Sequence, residues 1–97
     1  MGKTKAYPIF FREDDGYYLI YIPDFDVVSE VDELDIAKVI QVSRCLIKDI
    51  CKLKKEKNIK IPEPSNYDNA FKITKSRTDG IFDYSNAIFS YIDVEII

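Results

Sequence analysis

The acidic side chains are the residues whose types and spacing could do chemistry. Glu13, Asp14 and Asp15 crowd one short stretch, and Asp24 and Asp26 flank Phe25. Paired carboxylates could hold Mg²⁺ for phosphodiester cleavage. Turns are also rich in Asp for local hydrogen-bonding reasons, and nothing in the spacing gathers these acids into one pocket. The chain contains no histidine. That removes the usual general base, the usual zinc ligand and any nucleophile–histidine pair. The expectation is a non-enzymatic chain with no catalytic residues, no metal ligands and no cofactor. Lysines gather between Lys48 and Lys60 and could meet RNA or phosphate. Helix C-termini attract lysine in any case, and Asp49 and Glu56 dilute the patch. A net charge of −3 argues against nucleic acid as the main partner. It suits solubility, or a basic protein partner.

The 97 residues amount to one domain, 1–97, with a core of modest size. Cys45 and Cys51 sit six apart on a predicted helix, roughly 9 Å along its axis and beyond disulfide reach. Reduced cysteines point to the cytoplasm. No signal peptide is visible, and no stretch is long enough to span a membrane.

These side chains must be positioned by a hairpin, a helix and a late strand. Two aromatic and β-branched runs flank Asp15-Gly16, a strong signal for a two-residue hairpin turn. With that pair as the loop, Asp14 meets Tyr17, Arg12 meets Leu19, Phe11 meets Ile20 and Phe10 meets Tyr21. Strand one is expected over Ala6–Glu13 after a loose lead-in, and strand two over Tyr17–Ile22. Pro8 marks strand one as an edge strand, since proline lacks a donor. Asp24-Phe25-Asp26 turns the chain, and Val27-Val28-Ser29 reads as a short third strand.

A long helix is expected over Glu33–Glu56, with Asp32 as N-cap. Lys38, Gln41, Arg44, Lys48, Lys52 and Lys55 form its polar stripe. Its apolar arc, from Ile36 to Leu53, spans roughly 160–180°, wider than a helix with one buried side needs. Pro62 and Pro64 keep the following segment extended. Ala70–Thr74 reads as a short strand and Lys75–Gly80 as an exposed turn. Ala87–Ile97 alternates as a half-buried strand. The fold class is α+β, an antiparallel three- to four-stranded sheet with one long helix on one face, in the order β-β-β-α-β.

One hairpin face, with Ile9, Phe11, Tyr18, Ile20 and Ile22, reads as core. The other is too apolar for a solvated face. If the last strand joins the sheet, that second face presents Phe10, Leu19, Tyr21, Phe89 and Tyr91. Aromatic faces of this kind are favoured at protein interfaces.

The run Tyr7-Pro8, then Asp14-Asp15-Gly16-Tyr17, then Ile22-Pro23-Asp24-Phe25, then a long helix leading to Ile61-Pro62-Glu63-Pro64-Ser65, resembles the HicB antitoxin family. Phe89-Ser90-Tyr91-Ile92-Asp93-Val94 resembles that family's late strand. The resemblance implies a partial ribonuclease-H-like fold without a nuclease centre. It implies an antitoxin that sterically masks a small basic HicA-type mRNA interferase toxin, and a homodimer or higher oligomer. Phe10, Leu19, Tyr21, Phe89 and Tyr91 would anchor the partner, and Asp24 and Asp26 would complement its basic groups. Three positions depart from the pattern. Asp26-Val27-Val28 replaces a Gly-Cys, Val31-Asp32-Glu33 replaces Gly-Asp-Thr, and Ile36-Ala37 replaces Glu-Ala. Longer relatives continue into a DNA-binding part, so direct DNA binding and a C-terminal DNA-binding domain are not expected in this chain. The alternatives are a degenerate ribonuclease-H-like nuclease, an RNA-binding module using the lysine-rich helix end, and an orphan dimer without a toxin.

Overall fold

A computed structural model describes residues 3–78 and 87–96, with the side chains of 76–78 excepted. The elements are β1 (Lys3–Asp14), β2 (Tyr17–Ile22), a 3₁₀ turn (Pro23–Phe25), β3 (Val27–Val31), α1 (Ile36–Glu56), α2 (Tyr67–Thr78) and β4 (Ile88–Ile96). The strands form one antiparallel sheet in the order β3-β2-β1-β4. No helix among the described residues is long and apolar enough to cross a membrane.

The hairpin register is the expected one, with Phe10 opposite Tyr21 and Asp14 opposite Tyr17. Asp15 and Gly16 both take positive φ, 51° and 88°, which a two-residue turn requires. A Cβ at Gly16 would meet nothing within 4 Å, so its cost would come from φ alone.

Strand one begins earlier than expected. Lys3–Lys5 is no loose lead-in but pairs with Val94–Ile96. This makes β1 an inner strand, against the edge position inferred from Pro8. The proline is still tolerated for a local reason. The hairpin closes on the Asp14–Tyr17 pair, so Arg12, Phe10 and Pro8 direct their backbone groups toward β2. Pairing with β2 starts only at Phe10, so no strand lies where the missing Pro8 donor would point.

α1 starts three residues later than expected. Its N-cap is Asp35, not Asp32; the Asp35 carboxylate accepts from Ala37 N at 2.9 Å. At the C-terminus Asn58 adopts φ 57°. Ile59 N donates to Lys54 O at 2.7 Å and Asn58 N to Lys55 O at 3.2 Å, a Schellman closure in which Asn replaces the usual glycine. Val39, Ser43, Ile47 and Cys51 form the buried ridge of α1. Val39, Ile47 and Cys51 pack on Tyr7, Ile9, Phe11, Ile20, Ile22, Ile92 and Val94. Both cysteines are free thiols, Cys45 exposed and Cys51 buried.

The main departure lies after α1. Residues Ala70–Thr74 are not a strand, and Lys75–Thr78 are not a turn. Both belong to α2, which packs on the sheet face opposite α1; Asp79 and Gly80 lie outside the described residues. The sheet is therefore covered on both faces, by one helix on each, rather than on one.

The linker between the helices makes this arrangement possible. Three contacts tie it across the end of the sheet. Lys5 Nζ donates to Glu63 Oε1 at 2.8 Å, and the Tyr7 hydroxyl donates to Pro62 O at 2.6 Å. Asp24 accepts from Ser65 N at 2.8 Å and from the Ser65 hydroxyl. Phe25 packs beside Tyr7, ring centroids 4.9 Å apart. Asn66 then caps α2, its Oδ1 accepting from Asn69 N at 2.9 Å.

Candidate interaction surface

α2 presents Tyr67, Ala70, Phe71 and Thr74 on one stripe, the i, i+3, i+4, i+7 spacing of an amphipathic helix. Ala70 is small and fully buried, so the helix backbone comes close to the sheet. Thr74 is buried as well; its hydroxyl donates to the Ala70 carbonyl at 2.8 Å. Phe10, Tyr21 and Ala70 form a second core, flanked by Leu19, Phe71, Ala87 and Phe89.

This corrects the expected exposure of the aromatic sheet face. Phe10 is 2% exposed and Tyr21 1% exposed, both beneath α2. A large apolar face is covered wherever the chain can cover it, and here the chain covers it with its own helix. Asp24 and Asp26 are likewise engaged within the chain. Asp24 grips Ser65, and Asp26 Oδ1 accepts from the Tyr21 hydroxyl at 2.9 Å. The buried phenol thus finds the polar partner it needs. Asp26 can do this because it sits in the left-handed region after the 3₁₀ turn, φ 53°.

The cover is incomplete, and what it leaves open is aromatic. The Phe89 ring lies edge-on to Phe10 at 5.1 Å, to Tyr67 at 4.7 Å and to Tyr91 at 5.0 Å. Tyr67 stacks with Phe71 at 6.1 Å. Edge-to-face packing of this kind adds roughly 0.5–1.5 kcal/mol per pair beyond area burial. Tyr67 stays 47% exposed and Tyr91 48% exposed, while Leu19, Phe71 and Phe89 are half-buried. Of the seven residues expected at a partner surface, Phe89 and Tyr91 meet in one ring cluster at the open margin of β4. Leu19 lies at the border of the second core, and Phe10 and Tyr21 lie inside it. Tyr67 is the member that sequence reasoning missed. The signal was present: Asn66 as a cap, followed by an apolar stripe at helical spacing.

Among the described residues, no three of Cys, Asp or Glu converge as metal ligands would. Farther along the same free edge of β4, Arg44 donates to the Asp93 carbonyl at 2.9 Å and to its carboxylate at 2.7 Å. The hydrogen bond from Arg44 holds the Asp93 carboxyl below its usual value. Lys5 does the same to Glu63. Burial pushes the Tyr7 phenol up to about 12, helped by the neighbouring Cys51, Glu63 and Asp24. These shifts belong to the linker and to the free edge of β4.

The fold is similar to that of a chain in a toxin–antitoxin complex from Streptococcus pneumoniae. The two superpose with a TM-score of 0.69 at 18% identity, over 97% of this chain and 71% of that one. At that identity the likeness is one of fold. No protein-family model matches the chain, and no curated protein matches it.

Proposed function

We propose that this chain is a HicB-like antitoxin, which binds a small basic HicA-type mRNA interferase and masks it sterically. The observation that carries the reading is the fold shared, over nearly the whole chain, with a chain of a toxin–antitoxin complex. The landmarks Ile22-Pro23-Asp24-Phe25 and Ile61-Pro62-Glu63-Pro64-Ser65 support it independently. They meet in space, through the Asp24–Ser65 contact.

In this reading the chain is not an enzyme and works by exclusion in the cytoplasm. The docking surface is the open margin of the aromatic face. Tyr67 and Tyr91 supply the exposed anchors, and Phe89 supports both from below. Aromatic anchors on a packed base are the usual source of binding energy at protein interfaces. Asp68, in the first turn of α2, and the overall acidic balance would steer a basic partner. Phe10 and Tyr21 act indirectly, by seating α2.

The test is co-expression with the neighbouring open reading frame. Co-purification of a small basic protein, with growth restored when its expression alone arrests the cell, supports the proposal. A neighbour that neither binds nor arrests growth counts against it.

A further inference from the structure

The buried ridge of α1 runs from Val39 through Ser43 and Ile47 and ends on Cys51, a small apolar residue. A groove of about 560 Å³ opens there, between the C-terminal half of α1 and the end of β4. Cys51 and Ile96 form its apolar floor, and both are part of the core between α1 and the sheet. Lys48, Lys52 and Lys55 line the α1 side, with Glu56 one turn beyond Lys52, and Glu95 lies on the β4 side. Lys48 and Lys52 are spaced i, i+4, so they share one side of the helix. Neither forms an ion pair among the described residues. Their methylene stems extend the apolar wall while their ammonium tips stay in water.

We propose that this groove binds a small amphipathic anion, a carboxylate carrying one unbranched acyl chain. The tail lies on Cys51 and Ile96, and the carboxylate meets Lys48 and Lys52. The volume falls in the range of small-molecule clefts, roughly 300–1,000 Å³, and such clefts combine an apolar lining with a few convergent polar groups. The rim carries three lysines against two glutamates, and a head group at Lys48 and Lys52 sits where the positive charge is paired. A concave site takes a single tail, whereas a bilayer surface or a nucleic acid needs a broad charged face. The same lysines oppose a basic protein, so this groove is separate from the docking surface proposed above. That surface lies on the other side of the sheet, under α2. The inference needs no partner protein and stands or falls apart from the antitoxin reading.

The experiment titrates laurate into the full chain and follows it by calorimetry and by amide shifts in two-dimensional NMR. A dissociation constant of about 100 µM or tighter is expected. The amides of Cys51, Lys52 and Ile96 shift, and those of Tyr67 and Tyr91 do not. Octanoate, whose shorter tail buries less apolar surface, binds about tenfold or more weakly than laurate. Dodecylamine, with a comparable tail and the opposite charge, binds about fivefold or more weakly. Lys52→Glu weakens laurate by about fivefold. Lys52 is exposed, so the melting temperature of this variant stays near the parent's. Absence of laurate binding up to about 1 mM overturns the proposal. So do shifts centred on Tyr67 and Tyr91, which make laurate an adsorbate of the aromatic margin. Dodecylamine matching laurate, or a K52E chain that binds laurate as the parent does, overturns the role of the lysines and the proposal with it. Capture of the chain by phosphatidylglycerol vesicles with no response to laurate also overturns it, and assigns the lysines to a membrane surface.

Discussion

Asp24 holds Ser65 from a position 41 residues away, taking both its backbone N–H, at 2.8 Å, and its hydroxyl. This pairing links the turn after β2 to the last residue before the α2 cap. It explains why a Pro-Asp-Phe turn and a Pro-Glu-Pro-Ser linker occur in one chain. The turn supplies the acceptor, and the linker, with its proline-restricted backbone, delivers the donor to the far face of the sheet.

Asp24→Ala should therefore act on α2 more than on the sheet. Two hydrogen bonds to a carboxylate are lost, at a cost of roughly 1.5–3 kcal/mol. Urea denaturation should show that loss. Hydrogen exchange should show the Ala70 amide losing more protection than those of Ile9 and Ile20. Uniform loss across all three would mean that the linker does not hold α2.

Phe10→Asp and Tyr21→Asp should cost the fold. Each puts a carboxylate into the core under α2, where an unpaired charge is strongly disfavoured. Even truncation of such an aromatic costs roughly 3–5 kcal/mol, a large part of a small domain's total stability of roughly 5–15 kcal/mol. Near-ultraviolet circular dichroism should collapse in both variants. A native spectrum would show that α2 does not cover this face.

Tyr7 makes stability fall at high pH. Its folded-state value, about 12, lies above the ordinary 10.0, so folding favours the neutral phenol. The stabilisation is whole below pH 10 and is lost as pH rises through about 12. Tyr7→Phe should flatten the drop in urea midpoint between pH 8 and pH 11. At neutral pH it should cost about 1 kcal/mol, because Pro62 O loses its donor. An unchanged alkaline drop in the variant would assign the effect elsewhere.

Arg44→Ala should open the β4 margin. Arg44 takes a carbonyl that points away from β1, and edge strands without such covers recruit other strands. Folding stability should change little, since the pair is exposed, while light scattering on heating should rise. The Asp93 carboxyl is held low by Arg44, and the Glu63 carboxyl by Lys5. The stabilisation from these pairs is present above the ordinary carboxylate range and is lost as pH falls through their lowered values.

The hairpin was legible down to its register, because Asp15-Gly16 accepts a backbone geometry that few other pairs do. The late strand was legible from its alternation. The second helix was not. Ala70, Phe71, Ile73 and Thr74 mix small and β-prone residues, so propensity favoured a strand, and only packing on Phe10 and Tyr21 decides for a helix. Missing α2 also misplaced the site. Phe10 and Tyr21 looked open because the element that covers them was not recognised. The helix start was misjudged because Asp32, Glu33 and Asp35 all suit an N-terminus, and only geometry selects Asp35.

The central claim, that a basic partner docks on the aromatic margin left open by α2, is tested most directly by titrating the purified chain into the protein encoded by the neighbouring open reading frame. A dissociation constant of about 1 µM or tighter is predicted. Tyr91→Asp should weaken it about 30-fold or more, and Tyr67→Asp similarly, with melting temperatures near the parent's. No binding at about 100 µM, or binding that neither variant disturbs, would contradict it.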